Sequence, residues 1–282
     1  MNAREILSRQ PPATLYHYTT QHGLLGIVES KEIWASHTQY LNDAREFRYA
    51  IEIVREQIAE IKREPLQRRY VNLLEEMELD LDGVESINVC VCSFSAEGDA
   101  LSQWRAYSHG GSGFSIGFSG AFLREVTNSL DFWLVPVLYQ AAQQRALIRT
   151  LLEDVLDENS RLKQVGQEDP VRQPGGGLVA YLNRYAPILK HQSFSEEQEW
   201  RIVSRPLFCS REGFGYRSGT SMLIPYYRIP LSSEKLAFCV GEVVVGPTPH
   251  PEQSERSVRG LLIQHGLRDA FVRQSNVPYR NW

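Results

Sequence analysis

Glu197-Gln198-Glu199-Trp200-Arg201-Ile202 reads as a β-strand, and the rest of the chain is organised around that reading. Alternate residues of a strand share a face. Glu197, Glu199 and Arg201 then point one way, and Gln198, Trp200 and Ile202 the other. Two carboxylates and a guanidinium are costly to bury unless they satisfy one another. The pattern predicts a polar cleft on one face and packed core behind Trp200 and Ile202. The plainer reading of the same residues is a solvated edge strand carrying surface charge. Trp200→Ala is expected to cost about 3–5 kcal/mol as a large aromatic leaves the core. Glu199→Gln is expected to cost little, because functional carboxylates are often strained.

Upstream, Leu15-Tyr16-His17-Tyr18 is a short β-type run. Thr19 or Thr20 then caps a short helix through Leu24, Leu25, Ile27 and Val28. A strand follows at Ile33–Ser36, then a turn at Leu41-Asn42-Asp43. Apolar residues at helical spacing continue from Glu46 to about Leu79, interrupted at Pro65. Val89–Phe94 is a buried-strand pattern, Asp99–Tyr107 a helix with Trp104 inward, and Phe114–Phe118 an alternating strand. A short strand near Trp133–Leu138 leads into an amphipathic helix from Gln140. The Pro/Gly-rich run Gln164–Gly177 reads as a surface loop, and Leu178–Lys190 as a helix. Later strands are expected at Met222–Ile229, Leu236–Val240, Val243–Gly246 and Ala270–Arg273, with a helix over Ser254–Gly266. One α+β domain spanning 1–282, with helical insertions at about 44–82 and 140–190, is the simplest organisation.

The 282 residues are 42% hydrophobic and 23% charged, with a net charge of -4, which describes an ordinary globular chain without a global basic field. No apolar run is long enough to span a bilayer. The N-terminus lacks signal-peptide character. Cys90, Cys92, Cys209 and Cys239 show no zinc-site spacing. These features point to a cytoplasmic protein with free thiols and no membrane partner.

Candidate chemistry is spread along the chain. His17 faces away from both flanking tyrosines, and a lone strand histidine is more often structural than functional. The hydroxyls of Ser93 and Ser95 end a buried strand, where they can bind a ligand or cap a turn. Trp104 and Tyr107, at i, i+3 spacing, can form a ligand platform but more often belong to a core. Gly110–Gly113 and Gly246-Pro247 are weak anion-binding signals. Cys92 has no evident base partner. No nucleophile elbow, Walker loop or zinc-protease motif is present.

Leu15–Thr19, Leu41–Asp43, Cys92–Ser95, Trp104–Tyr107, Gly113–Phe118, Glu197–Arg201 and Ser275–Arg280 together resemble the bacterial family known as domain of unknown function 2971. The order of a His strand, a Ser-Phe-Ser strand and an E-x-E strand also resembles, more loosely, the ADP-ribosyltransferase superfamily. Its middle motif here is Ser93-Phe94-Ser95 rather than Ser-Thr-Ser or a single tyrosine. The second resemblance implies a central, split, mainly antiparallel sheet. It also implies NAD as substrate, with cleavage of the nicotinamide–ribose bond and transfer of ADP-ribose to a protein or nucleic-acid acceptor. A role as a toxin or phage-defence effector would suit such an enzyme.

On this reading Glu199 opposes the positive charge that develops on the ribose, and Glu197 serves the acceptor. His17 joins the two glutamates as a catalytic residue and bonds a ribose hydroxyl, Tyr18 and Thr19 border the ribose, Ser93 and Ser95 bind the NAD, Trp104 or Tyr107 stacks on nicotinamide, and Arg201 orients the carboxylates or meets the pyrophosphate. The rival expectations are a non-catalytic binding domain with a structural Glu/Arg network and, behind it, a metal-dependent nuclease.

Overall fold

The computed structural model describes residues 5–6, 8–41, 45–65, 70–81, 88–107, 113–164 and 178–279. Its strands are β1 (Thr14–Thr20), β2 (Glu32–His37), β3 (Cys90–Ser95), β4 (Gly113–Ser119), β5 (Trp133–Pro136), β6 (Glu199–Val203), β7 (Phe214–Ser218), β8 (Leu223–Pro230), β9 (Glu242–Val245) and β10 (Phe271–Gln274). Its α-helices are α1 (Gln21–Ser30), α2 (Arg45–Arg63), α3 (Val71–Asp80), α4 (Leu101–Tyr107), α5 (Gly120–Leu130), α6 (Ala141–Gln164), α7 (Leu178–Tyr185) and α8 (Pro251–Gln264). These ten strands form one branched sheet, ordered β10-β9-β4-β1-β3-β2-β8-β7, with β6 joined to β3 and β5 to β6. Among the described strands, β9 and β10 are the pair that runs parallel, and the other ladders are antiparallel. The fold is therefore α+β with a mainly antiparallel sheet.

Strand register assigns the two faces, because directly opposed residues share one. Leu15, Cys92, Phe94, Trp200, Ile202 and Tyr227 face a core closed by α1, α5 and α8. Val91, Val135 and Val203 face a second core, built with the apolar stripes of α2, α3, α6 and α7. The two expected helical insertions thus pack together over one part of the sheet. Burying these apolar stripes supplies most of what holds such helices, at about 25 cal/mol per Å².

All five residues of β6 are buried, and the strand lies between β3 and β5, so it is not a solvated edge. Helix α5 and strand β7 escaped the sequence pattern. In α5, Gly120 stands at the first helical position and obscures the start that the Ser119 side chain caps. In β7, half-exposed Phe-Gly-Tyr-Arg-Ser offers no apolar run. The expected strand at Leu236–Val240 forms no ladder; its Leu236 and Phe238 pack, half-buried, onto the core from a loop. The turn at Asn42-Asp43, the glycine loop at 110–112, the loop at 165–177 and Arg280 lie outside the described residues.

The sheet divides at β3. One edge of β3 pairs with β2 at Cys90 and Val91, and with β1 only at Ser95. The described registers leave residues 92–94 without a strand partner on that edge. His17 sits at this opening. Its Nδ1 lies 3.0 Å from the Ser93 carbonyl oxygen and 3.9 Å from Cys92 Sγ, and its ring packs against Phe94 at 5.7 Å between centroids. Burial pushes the imidazole pKa below its ordinary 6.5, so Nδ1 carries the proton and donates it to the carbonyl. The side chain satisfies a backbone group that the ladder has abandoned.

His17→Ala is expected to lower stability by about 2–4 kcal/mol, through a cavity and an unpaired buried carbonyl. Urea denaturation measures this. Because the folded pKa lies below 6.5, the unfolded chain binds a proton first as pH falls. The histidine's contribution is therefore intact above pH 6.5 and is lost below it. In His17→Gln the stability loss between pH 6.5 and 5 should be shallower, with the remaining slope coming partly from His37, whose pKa burial also lowers.

Candidate functional site

Strand register places Ser93, Ser95, Glu199 and Arg201 side by side on one sheet face, with Ser93 opposite Arg201 and Ser95 opposite Glu199. Glu199 is 6% exposed and Arg201 2%. Arg201 grips the carboxylate with both arms: Nε donates to Oε1 at 2.6 Å and Nη2 to Oε2 at 3.0 Å. Its remaining Nη1 donates to the Pro187 carbonyl at 2.6 Å. The buried Lys190 ammonium donates to Glu199 Oε2 at 3.0 Å and to Glu197 Oε2 at 2.5 Å. Tyr139 accepts the Glu199 amide proton at 2.9 Å. Burial alone would raise the Glu199 pKa, but Arg201, Lys190 and the Ser93 hydroxyl outweigh it and hold the carboxyl at about 2.

Glu197 reaches the same ammonium by another route. It is not on β6. It ends a 3-10 turn, Gln192–Glu197, and Gln198 then takes a left-handed conformation, φ 42° and ψ 47°. That reversal brings both carboxylates to Lys190, where strand alternation alone had been expected to align them. The Glu197 side chain is 21% exposed. Burial raises its pKa, opposed by Lys190. One carboxylate is thus driven down in pKa and its neighbour up.

The other expected site residues divide. Ser95 Oγ donates to the Glu197 carbonyl at 2.8 Å and accepts the Glu97 amide at 3.0 Å, so it shapes the turn that presents Glu197. Tyr107 is 38% exposed, and its phenol pKa is raised by burial and then by the charges of Glu199 and Glu197. It stands where the cluster meets solvent. Tyr18 and Trp104 are in the interior, at 7% and 0% exposure. Their rings meet edge to face at 4.8 Å. The Tyr18 hydroxyl donates to the Glu97 carbonyl at 2.7 Å and accepts the Ala100 amide at 2.9 Å, while Trp104 Nε1 donates to Asp99 at 2.7 Å. Trp104 is therefore no open stacking surface for nicotinamide; it anchors α4. His17 and Thr19 share the opposite sheet face, with Leu15, Cys92 and Phe94. The structure does not bring them to the carboxylates.

Lys190 and Tyr139 were not visible as site residues in the sequence. Lys190 is one more basic residue after a helical pattern, with no spacing that ties it to Glu197. Its position comes from Gln144, whose amide donates to the carbonyls of Leu138 and Lys190 at 2.6 and 2.8 Å. A depression of about 410 Å³ lies beside this framework, lined by Val137, Tyr139, Gln140, Gln143, Gln192 and Ser195. Among the described residues no group of three or more His, Cys, Asp or Glu converges as a metal site, and no helix is long and apolar enough to cross a membrane.

Residues 103–202 match the family described as protein of unknown function (DUF2971). That span runs from α4 to the end of β6 and carries Tyr107, Tyr139, Lys190, Glu197, Glu199 and Arg201. The family resemblance is thereby supported over the segment that builds the charge cluster. No curated protein and no solved structure matches the chain.

Glu199→Gln is now expected to cost about 3–5 kcal/mol, because it leaves Arg201 and Lys190 buried with too little negative charge. This reverses the small effect expected from the sequence. Trp200→Ala keeps its large expected cost, with Trp200 8% exposed in the core. Thermal melts of both variants test the pair. With Glu199 depressed from 4.5 to about 2, its contribution is complete above pH 4.5 and is lost as pH falls toward 2.

Proposed function

We propose that this chain cleaves the nicotinamide–ribose bond of NAD and passes ADP-ribose to water or a macromolecular acceptor, in an ADP-ribosyltransferase-like site. The observation that carries the reading is the carboxylate pair on one ammonium: Glu199 buried and held ionised, Glu197 partly exposed with a raised pKa. Environments that push two carboxyl pKa values apart suit a division into a fixed charge and a proton-exchanging group. Burial assigns the roles. Glu197 meets the substrate, opposing the cation that develops on the ribose or taking the acceptor's proton. Glu199 is a positioning residue, acting through Lys190. Tyr107 offers an aromatic face at the solvent boundary. His17 supports the sheet opening and has no part in binding ribose.

The balance of charge favours a second reading. Glu197 and Glu199 are matched by Lys190 and Arg201, which is what a structural ion network in a non-catalytic binding domain requires. Glu197→Gln separates the two, because Glu197 is the member that reaches solvent. Purified protein with NAD and cell extract should release nicotinamide. Glu197→Gln should slow release about 10²–10³-fold while melting within a few degrees of wild type. Release unchanged by the substitution would remove Glu197 from the chemistry. No release, together with no shift in melting temperature on adding NAD, would leave the structural network standing.

A further inference from the structure

We propose that the open face of β2, β8 and β7 is a stacking platform for single-stranded nucleic acid. The branch beyond β2 carries Trp34, Ser36, Tyr226, Arg228, Ile224 and Arg217 on the same face as Val91 and Ser93, as the registers Ser36↔Val91, Ser36↔Tyr226, Trp34↔Arg228 and Arg217↔Ile224 require. Over β3, β5 and β6 this face packs against α2, α3, α6 and α7, and over β1 against α4. Here Trp34 is 48% exposed. Its ring lies stacked on Tyr226, with centroids 4.3 Å apart and planes at 26°. Gly215 is opposite Tyr226, and a Cβ there would stand 3.3 Å from Tyr226 Cζ, so the glycine leaves room for the phenol ring.

Leaving half a tryptophan in water is unfavourable, and the flanking charge indicates what suits it. Arg228 is exposed directly across from Trp34. Arg217 is held on the platform by donating Nη2 to Ser36 Oγ at 3.3 Å. Glu32, opposite Pro230 at the far end, is the acidic residue of the strip. Two guanidinium groups beside a stacked aromatic pair, on a chain of net charge -4, make a local cationic strip. Bases stack on aromatic rings or guanidinium planes, and phosphates pair with arginine. An apolar protein partner would not call for the arginines, and a duplex would not present base faces to the rings. The platform lies two to four strands from β6, about 10–19 Å at the usual strand spacing. The inference does not depend on the NAD reading.

The test is fluorescence anisotropy with labelled 12-nucleotide oligo-dT and oligo-U, at low and moderate salt, alongside light scattering of the free protein. The wild type should bind at least one of these strands, with affinity falling as salt rises. Trp34→Ala should weaken binding about 5–100-fold, and Trp34→Phe should restore most of it. Arg217→Gln with Arg228→Gln should weaken binding and flatten the salt dependence. Melting temperatures near wild type verify that each variant is folded. Binding that is absent, or that survives Trp34→Ala, would overturn the proposal. So would a dimer that dissociates on Trp34→Ala, which would give the platform to a second copy of the chain.

Discussion

A single buried anion constrains the centre of this molecule. Glu199 lies on an interior strand, flanked by β3 and β5, where an unpaired carboxylate would cost several kcal/mol. Everything around it answers that cost. Arg201 supplies two parallel hydrogen bonds, Lys190 a third, and Ser93 a hydroxyl. The cations are themselves tied down, Arg201 by the Pro187 carbonyl and the Lys190 backbone by Gln144. The helical layer is thus attached to the sheet through this ion cluster as well as through apolar packing. The ion cluster specifies where the 186–199 segment sits, and the hydrophobic stripes of α2, α3, α6 and α7 supply the larger share of the burial.

The second constraint is the branch in the sheet. A strand that changes neighbours along one edge leaves backbone groups without a ladder. At Ser93 the chain meets this with the His17 imidazole. The same histidine that motif order suggested for ligand binding is therefore occupied by the fold. Its neutrality follows from burial, and with it the direction of its pH effect.

Much of the fold was legible because periodicity reports burial directly. The β1, β3 and β4 runs and the long α2 and α6 stripes are unambiguous patterns, and the E-x-E stretch did mark a core strand with Trp200 and Ile202 inward. What failed has specific causes. Strand alternation put Glu197 on β6, but Gln198 adopts positive φ, which no residue pattern announced. Parity correctly set His17 against Tyr16 and Tyr18. Motif order alone then suggested that it joins Ser93 and Glu199, whereas register puts it on the other face. Lys190 becomes part of the site only through contacts between segments distant in sequence. The exposed Trp34 looked like one more strand residue, because its stacking partner Tyr226 is brought to it only by the β2–β8 register.

One ammonium holds two carboxylates whose pKa values are displaced in opposite directions. Carbon-13 NMR of side-chain carboxyls, titrated from pH 7 to 2 and assigned with Glu197→Gln and Glu199→Gln, measures it directly. Glu199 is expected to titrate near 2, and Glu197 above the ordinary 4.5. Two carboxyls that both titrate near 4.5 would contradict it, because neither would then be buried against Arg201 and Lys190 as described.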